Sequence, residues 1–385
     1  MTSRLSLLTA AVLALLCAAS ADRTTASAQA GPDLTVTVGH LASLDYATRL
    51  NAARLVRRAP AAAAVAALTT AVHESSDQFV RYRALVLLTG FTDRATPELM
   101  RGLIGDHNDR VREVAYRWLE QHPDPMLAPT LLAALSAEQA EFVRPALVRA
   151  LVVLGNDLAV QRALLAETGR GLDLFRSAVI DALGQARAQW SVPVLTEALR
   201  VDGPLQDDVV MALGRIGDQP SLAPISALPA VPQDTAMAAL AARCLLGDDC
   251  PARIVALSQA VNSRLARGDT VRAGVSALSA LAVASDEGLA ALDALLSNSV
   301  IHDDVVGGIG GAALRNPARL LAWLDLAGAM PRERMIAALR EAFERFEEDY
   351  EEEQFFAAAR AVYWTAPDGS PARTLMAGLI DTLDF

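Results

Sequence analysis

A pattern of apolar and polar positions returns about every thirty-two residues along the chain. In each copy an acidic residue precedes one position, usually bulky and apolar, that we call the anchor. Arg often follows the anchor, and a run of small and apolar residues then leads towards Gly. The anchors are Tyr46, Val80, Val111, Val143, Phe175, Leu205, Thr235, Val271 and Val305. Their spacings are 34, 31, 32, 32, 30, 30, 36 and 34 residues. A period in this range predicts a stacked helical repeat and disfavours a globular enzyme fold.

The copy around Val143 shows why each anchor predicts a helix. Its apolar residues recur at helical spacings, at Val143, Leu147, Leu151 and Leu154, and so share one face. Pro145 falls in the first turn, where a missing N–H costs little. Gly155 is expected to end the helix in the left-handed conformation, and the same ending is predicted at Gly184, Gly217 and Gly247.

A second, shorter helix is predicted after each anchored helix, often with Pro at its start, as at Pro97, Pro129, Pro193 and Pro251. Each unit is then an antiparallel helix pair that cannot bury its apolar faces alone, so neighbouring pairs stack. The expected fold class is all-α: an α-solenoid, or superhelix of stacked antiparallel helix pairs, with the shape of an elongated curved rod.

Two elements of the pattern resemble HEAT repeats. Residues 77–81, 109–112 and 269–272 are similar to the Asp-x-x-Val-Arg core of those repeats. Residues 212–218, with the sequence Ala-Leu-Gly-Arg-Ile-Gly-Asp, resemble the unit ending of the phycobilisome-lyase-like HEAT subclass. The resemblance covers roughly residues 41–330 and implies a HEAT-like array, most often a protein-binding scaffold. Bilin lyase activity would need a pigment-bearing partner, and nothing in the sequence supports it.

The charged residues beside the anchors have a structural and a functional interpretation. Five arginines directly follow an anchor: Arg81, Arg112, Arg144, Arg176 and Arg272. Acidic residues such as Asp77, Asp109 and Asp269 precede the anchors. An Asp there can cap a helix, and an Arg there can bridge to an acid of its own or the adjacent unit. We expect a structural ladder; a stripe of Arg that grips an acidic ligand is the alternative.

The N-terminal residues 1–30 have the pattern of a secretory signal peptide. Arg4 precedes an apolar run over residues 5–19, and small residues follow. Cleavage after Ala21 and cleavage after Ala30 both fit this pattern. The apolar run is shorter than the ~20 residues of a membrane span. We therefore expect an exported protein, periplasmic or extracellular, with no membrane span after the signal is removed.

The remaining chain divides into an N-terminal arm (31–40), the HEAT-like repeat array (41–330) and a C-terminal helical cap with an acidic stretch (331–385). Residues 34–38 alternate between apolar residues and Thr, which predicts extended structure. A long helix is predicted from Pro331 to Tyr350 or beyond. The acidic residues 347–353 are interpreted as a solvated face of the cap, with a docking site for a basic partner or for a divalent cation as the alternatives.

Charge and residue content exclude several classes of function. The formal net charge is −11, which argues against a nucleic-acid partner. All 34 basic residues are Arg, so chemistry that needs a Lys Schiff base or a phosphate-loop Lys is excluded. Among the five His, only His73 is followed by Glu, too few His-Glu pairs for the di-iron site of deoxyhypusine hydroxylase. We predict no cofactor and no metal.

Two cysteines, Cys244 and Cys250, remain after the predicted signal peptide. In an exported protein they can form a disulfide across a helix end, although six residues is a demanding spacing. A free pair is the alternative, with a structural role in either case.

The function expected from these observations is that of an exported scaffold without catalytic activity. Its longer helices line a concave face that binds a protein or a peptide. Exposed positions expected in that groove are Arg83, Tyr116, Arg117, Arg149 and Asp181. The alternatives are an enzyme or lyase that uses the groove as an active site, and a structural spacer in an envelope assembly.

Overall fold

The structure, a computed structural model, describes residues 33–201, 203–229, 233–345 and 349–385. These residues contain α-helices and four short 3-10 turns but no strand. The first eleven helices are α1 Leu34–Gly39, α2 Tyr46–Arg58, α3 Ala61–Glu74, α4 Gln78–Thr89, α5 Thr96–Gly102, α6 Asp109–Gln121, α7 Ala128–Ala137, α8 Arg144–Val152, α9 Leu158–Glu167, α10 Asp173–Gln185 and α11 Val192–Ala198. The others are α12 Gln206–Ile216, α13 Leu222–Ser226, α14 Gln233–Leu245, α15 Cys250–Arg267, α16 Arg272–Ala284, α17 Asp286–Leu295, α18 His302–Arg315, α19 Pro317–Leu326, α20 Ala329–Phe343, α21 Tyr350–Thr365 and α22 Pro371–Leu383. The predicted signal peptide lies outside the described residues.

The helices stack as pairs, which confirms the predicted all-α, HEAT-like solenoid. The even-numbered helices from α4 to α18 each contact the next even-numbered helix, and the odd-numbered helices form a second layer. Every predicted anchor lies within three residues of the start of an even-numbered helix, from Tyr46 in α2 to Val305 in α18. Most odd-numbered helices are the shorter members of their pairs, as predicted. Helix α15, with 18 residues, is an exception.

Two glycines permit close approach between successive even-numbered helices. A Cβ on Gly184 of α10 would lie 2.7 Å from the Cα of Ala212 in α12. A Cβ on Gly214 of α12 would lie 2.7 Å from the Cα of Ala242 in α14. Ala212 and Ala242 are fully buried. Close packing of the stack at these two points therefore depends on the missing side chain.

The predicted glycine helix ends are confirmed at two positions and wrong at two. Gly217 ends α12 with φ +79°, and Gly247 follows α14 with φ +80°. Gly184 lies inside α10, where close packing explains it. Helix α8 ends at Val152, and Gly155 is not left-handed. A Cβ on Gly155 would lie 2.6 Å from Nε1 of Trp190, so close packing accounts for this glycine too.

The prediction of extended structure at residues 34–38 is wrong, because this segment forms helix α1. Asp33 caps the helix: its Oδ1 accepts a hydrogen bond from the Thr35 N–H at 2.9 Å. Val38 is buried, and α1 packs against α2 and α3. The N-terminal cap and the tertiary contacts outweigh the strand preference of alternating Val and Thr.

The prediction of one long helix from Pro331 is also wrong. Helix α20 ends at Phe343, and α21 begins at Tyr350 with Asp349 as its N-cap. The reversal brings Phe343 against Phe355 and Phe356, with ring centroids 5.0 and 5.8 Å apart. Burying this aromatic cluster requires that the chain fold back instead of continuing as one rod.

The two ends of the array meet, so the predicted elongated rod is replaced by a closed ring. Helix α21 contacts α18 and α19 on one side and α4 on the other. We call this junction the seam: helices α21 and α22 on the C-terminal side, and α2, α4 and α6 on the N-terminal side. Several ion pairs cross it, among them Arg57 Nε to Glu353 Oε2 at 2.8 Å and Arg54 Nη1 to Asp384 Oδ1 at 2.6 Å.

The acidic stretch takes part in the seam, which corrects its interpretation as a solvated face. Residues 346–348 lie outside the described part, but Glu352 is 9% exposed and Glu353 only 1% exposed. Arg57 and Arg360 both pair with Glu353, and Arg117 pairs with Glu351. These carboxylates join the first units of the array to its last helices.

Candidate functional site

The predicted ladder is clearest in its first two arginines. Arg81 Nη2 lies 2.5 Å from Asp106 Oδ2, in the turn before the next unit. Arg112 binds Glu138 with two hydrogen bonds of 2.8 Å, again to the turn before the next unit. The Arg112 guanidinium holds the pKa of Glu138 below its usual value. At Asp106, partial burial raises the pKa of the carboxylate, but hydrogen bonds from Arg81 and from the Asn108 N–H outweigh it, so this pKa is also lowered.

The ladder weakens along the chain. Arg144 Nη2 is 3.6 Å from Glu167 Oε2, and its guanidinium lies 3.7 Å from the centre of the Phe175 ring. Arg176 pairs within its own helix, with Asp173, and donates to the Thr168 carbonyl. Arg272 lies 3.6 Å from Asp304 of the next unit, with 88% of its side chain exposed. The second and third units are firmly bridged to the units that follow them, whereas Arg272 makes a long contact and is mostly exposed.

The predicted capping role holds for one of the three acids. Asp77 accepts hydrogen bonds from the N–H groups of Phe79 and Val80 and is the N-cap of α4. Asn108 is the N-cap of α6, and Asp109 is the first residue of that helix. Asp269 pairs with Arg267 instead of capping α16. The cap prediction is therefore wrong by one position at Asp109 and wrong at Asp269.

The predicted disulfide is present. Cys244 and Cys250 are bonded, with their Cα atoms 4.1 Å apart. The bond joins the last turn of α14 to the first residue of α15 and closes the turn around Gly247. It stabilises the junction of this helix pair and lies outside the inner cavity described next.

The inner face of the ring holds a cavity of about 470 Å³, between α10, α12, α14, α16 and α18. Six aspartates and three arginines line it: Asp181, Asp207, Asp208, Asp234, Asp303, Asp304, Arg215, Arg272 and Arg315. Carboxylates outnumber guanidinium groups by two to one, so the lining carries a negative charge. We call this space the inner cavity.

Arginines neutralise four of these aspartates and leave two. Asp181 pairs with Arg215, and Arg315 Nη2 lies 3.9 Å from its Oδ2. Asp234 pairs with Arg264, Asp303 with Arg345 and Asp304 with Arg272. Within the part of the chain that the structure describes, no arginine bridges to Asp207 or Asp208. These two adjacent carboxylates give the inner cavity its uncompensated charge.

The pKa values of two residues that line the inner cavity, Asp208 and Arg315, are shifted by burial and by neighbouring charges. Burial, together with the neighbouring Asp207 and Asp181, raises the pKa of Asp208 against the hydrogen bond from Ser177. Desolvation lowers the pKa of Arg315, and Asp181 opposes that effect. The charge of Arg215 offsets these effects on Asp208 only in part, so a cation from a ligand would stabilise the ionised carboxylate further.

One wall of the inner cavity is bare backbone. Gly307, Gly308 and Gly311 of α18 all line it, and a Cβ at Gly307 or Gly311 would meet no atom within 4 Å. Gly308 has a separate role, because a Cβ there would collide with the Ser279 hydroxyl of α16. The glycine cluster therefore allows one close helix contact and leaves an open strip beside it.

Of the five residues predicted to lie exposed in the groove, Tyr116 contradicts the expectation. It is 1% exposed, and its hydroxyl donates to the Ile104 carbonyl at 3.1 Å. Burial raises the pKa of its phenol to about 12. Tyr116 fills the core of the third unit, because the helical face that carries it turns towards α5 and away from the ring centre.

The other four predicted residues are half-buried and already hold partners. Arg83 donates to the Leu41 carbonyl at 2.6 Å, and Arg149 Nε lies 3.1 Å from Glu120 Oε2. Arg117 pairs with Glu113 in its own helix and with Glu351 across the seam. Asp181 lines the inner cavity. The structure thus brings Asp181 into the candidate site and places Arg117 in the seam; binding by these residues stays a prediction.

Most of the residues that line the inner cavity were not predicted from the sequence. Asp207-Asp208 and Asp303-Asp304 are the two places in the array where paired aspartates stand within three residues of an anchor. That pairing was an available signal. Arg215 and Arg315 stand ten residues after their anchors, at the C-terminal ends of their helices, but only the ring geometry brings them together.

The described residues contain no group of three His, Cys, Asp or Glu side chains placed to hold a metal ion. Over the same residues, no helix has both the length and the apolar character needed to cross a membrane.

Comparison with known proteins gives structural matches only. No family model and no curated protein sequence matches the chain. Among solved structures, one match is the complex of CpcE and CpcF of phycocyanin lyase from Nostoc sp. PCC7120, at 21% identity and TM-score 0.38, over 65% of this chain and 96% of that chain. Another is a Kap121p mutant, at 13% identity and TM-score 0.40, over 91% of this chain and 45% of that chain.

Proposed function

We propose that this HEAT-like repeat protein is an exported, non-catalytic scaffold that binds a segment of another protein in its inner cavity. The segment carries Lys or Arg, whose cation meets Asp207 and Asp208. The single observation behind the proposal is a concave space of about 470 Å³ that combines two carboxylates without an arginine ion pair in the described residues and a strip of exposed glycine backbone.

The size and shape of the inner cavity support a peptide segment as the ligand. Ligand pockets commonly occupy about 300–1,000 Å³, and this cavity lies within that range. The open strip at Gly307 and Gly311 lets a ligand backbone approach α18 closely. Aspartates on several helices surround the space, so one cationic side chain can contact more than one unit.

Blocking the cavity tests the proposal. Gly311→Leu places a side chain in the open space, and Gly378→Leu is the matched control, since Gly378 is a helical glycine on α22 that also has no atom within 4 Å of an added Cβ. Immobilised wild-type protein and the control should capture the same partner from envelope extract, and Gly311→Leu should lose it. Equal capture by both variants, or no specific capture by the wild type, would refute the proposal.

Removing charge tests the chemistry of the ligand. Asp207→Asn with Asp208→Asn should weaken partner binding by tenfold or more. The control, Asp325→Asn with Asp381→Asn, changes net charge equally at exposed positions outside the inner cavity and should have little effect. An unchanged affinity in the first double variant would show that the aspartates do not hold the ligand.

Export is part of the same proposal. It is supported by the signal-like residues 1–30 and by the Cys244–Cys250 disulfide, a bond typical of oxidising compartments. Intact mass of the native protein in the envelope fraction should correspond to a chain beginning at Asp22 or Gly31. A chain that retains Met1 and fractionates with the cytosol would contradict export.

A further inference from the structure

The seam differs from the other junctions of the ring in what holds it together. Most of the large apolar side chains of α21 and α22, including Phe355, Phe356, Met376 and Leu379, belong to a core shared with α14 to α20. The apolar core of the first units contains one residue of α21, Tyr350. By its apolar contacts, the C-terminal helix pair belongs to the second half of the ring.

Several polar groups make contacts across the seam. Arg57 and Arg360 bind opposite oxygens of the buried Glu353 carboxylate, at 2.8 and 2.9 Å. Gln354 Nε2 lies 3.1 Å from Thr89 Oγ1, and Arg360 also donates to the Gly90 carbonyl. A buried ion pair gains little net free energy, because desolvation of both charges offsets their attraction.

The seam is also incompletely satisfied. Tyr350 is 2% exposed, and within the described part of the chain its hydroxyl has no hydrogen-bond partner. The same holds for Nη1 of Arg360. A cavity of about 280 Å³ lies on one side of the junction, between Tyr46, Phe343 and Asp384, and a groove of about 670 Å³ lies on the other, between Thr89, Trp118 and Gln354. Unpaired buried groups and poor packing both weaken an interface.

We infer that the ring opens at the seam: α21 and α22 form a clasp that releases α2, α4 and α6 while staying packed on α18, α19 and α20. Apolar packing against the preceding helices keeps α21 and α22 folded when the clasp is open. Ion pairs across the seam stabilise the closed state. In an open ring, a long polypeptide enters the inner cavity from the side without being threaded. That consequence rests on the proposed function; the opening itself does not.

The test measures a distance across the seam in the absence of any partner. Spin labels are placed at Ala47→Cys on α2 and Thr382→Cys on α22, both exposed, with Cys17→Ser to avoid a third label. Distance distributions are recorded by double electron–electron resonance between about 0.1 M and about 1 M salt, over which the Debye length falls from about 10 Å to about 3 Å. A longer distance should appear and grow several-fold with salt, because the partly exposed Arg54–Asp384 pair, unlike the buried pair at Glu353, is open to screening.

A matched pair of variants distinguishes the loss of an ion pair at the seam from the loss of an ion pair elsewhere in the array. Glu353→Gln removes the buried carboxylate of the clasp, and Glu138→Gln removes another largely buried carboxylate, with 3% of its side chain exposed, that binds Arg112 inside the array. The long distance should be several-fold more populated in Glu353→Gln at low salt and unchanged in Glu138→Gln. A single short distance in the wild type at 1 M salt would overturn the inference, and this result decides it even where Glu353→Gln does not fold. Since no ligand is present, failure of the proposed function leaves this outcome unaffected.

Discussion

Adding a methyl group at the close helix contacts should destabilise the array, whereas the same change on the cavity wall should stabilise it. In Gly214→Ala the new Cβ would lie 2.7 Å from the Cα and 2.8 Å from the Cβ of Ala242. Favourable carbon contacts need about 3.5–4.0 Å, so α12 and α14 must separate by roughly 1 Å. Overpacking of this kind costs about 1–3 kcal/mol. The higher helix propensity of Ala than of Gly raises the free energy of unfolding by up to about 1 kcal/mol.

The expected net effect of Gly214→Ala is a loss of about 1 kcal/mol in the free energy of unfolding. Gly184→Ala should behave in the same way, because Ala212 is equally close. Gly307→Ala and Gly311→Ala meet no atom within 4 Å, so each should gain roughly 0.5–1 kcal/mol. The assay is the midpoint of urea unfolding, followed by circular dichroism. A gain of stability in Gly214→Ala, like that expected in Gly311→Ala, would refute the assignment of Gly214 to a tight helix contact.

Three further predictions concern the ladder, the C-terminal helices and the disulfide. The pKa of Glu138 is lowered in the fold. Its contribution to stability is therefore present above its unfolded pKa and is lost as pH falls through its folded pKa. In Glu138→Gln, the free energy of unfolding should fall less steeply as the solution is acidified. The hydrogen bond that His302 Nε2 donates to the Glu341 carboxylate raises the pKa of His302 above 6.5. The stabilising effect of this bond is therefore complete below that value and is lost as pH rises through the folded pKa. An NMR titration should find a midpoint above 6.5 that Glu341→Gln lowers. Replacing Cys244 and Cys250 by Ser should cost about 2 kcal/mol, the chain-entropy estimate for so short a loop, measured by the same urea assay, and an unchanged midpoint would mean that the bond adds no stability.

The repeat architecture could be predicted because its determinants are local. Anchors, small-residue helices, and cap residues such as Asp77 and Gly217 all act within one unit, and nine copies reinforce the same period. The errors fall where a long-range contact decides the outcome. Residues 34–38 are helical because they pack against α2 and α3. The helix after Pro331 is broken because Phe343 packs against residues of α21.

Ring closure could not be predicted from the repeat pattern. It depends on small rotations between units, which accumulate over the array and leave no mark in any one unit. Closure decides the role of the acidic stretch: Glu353 follows a run typical of a solvated surface, yet it is buried between two arginines. Closure also decides the candidate site, because Asp181 and Arg315 approach to 3.9 Å from helices that are four units apart.

The stacked helix pairs form a ring whose last helices return to the first units. Small-angle X-ray scattering of the processed protein at low salt measures whether this ring is closed in solution. The scattering curve should match the closed ring, with α21 beside α4 and the pair-distance distribution of a compact annular body. A curve that fits only an extended array, with a larger maximum dimension and α21 separated from α4, would contradict the account.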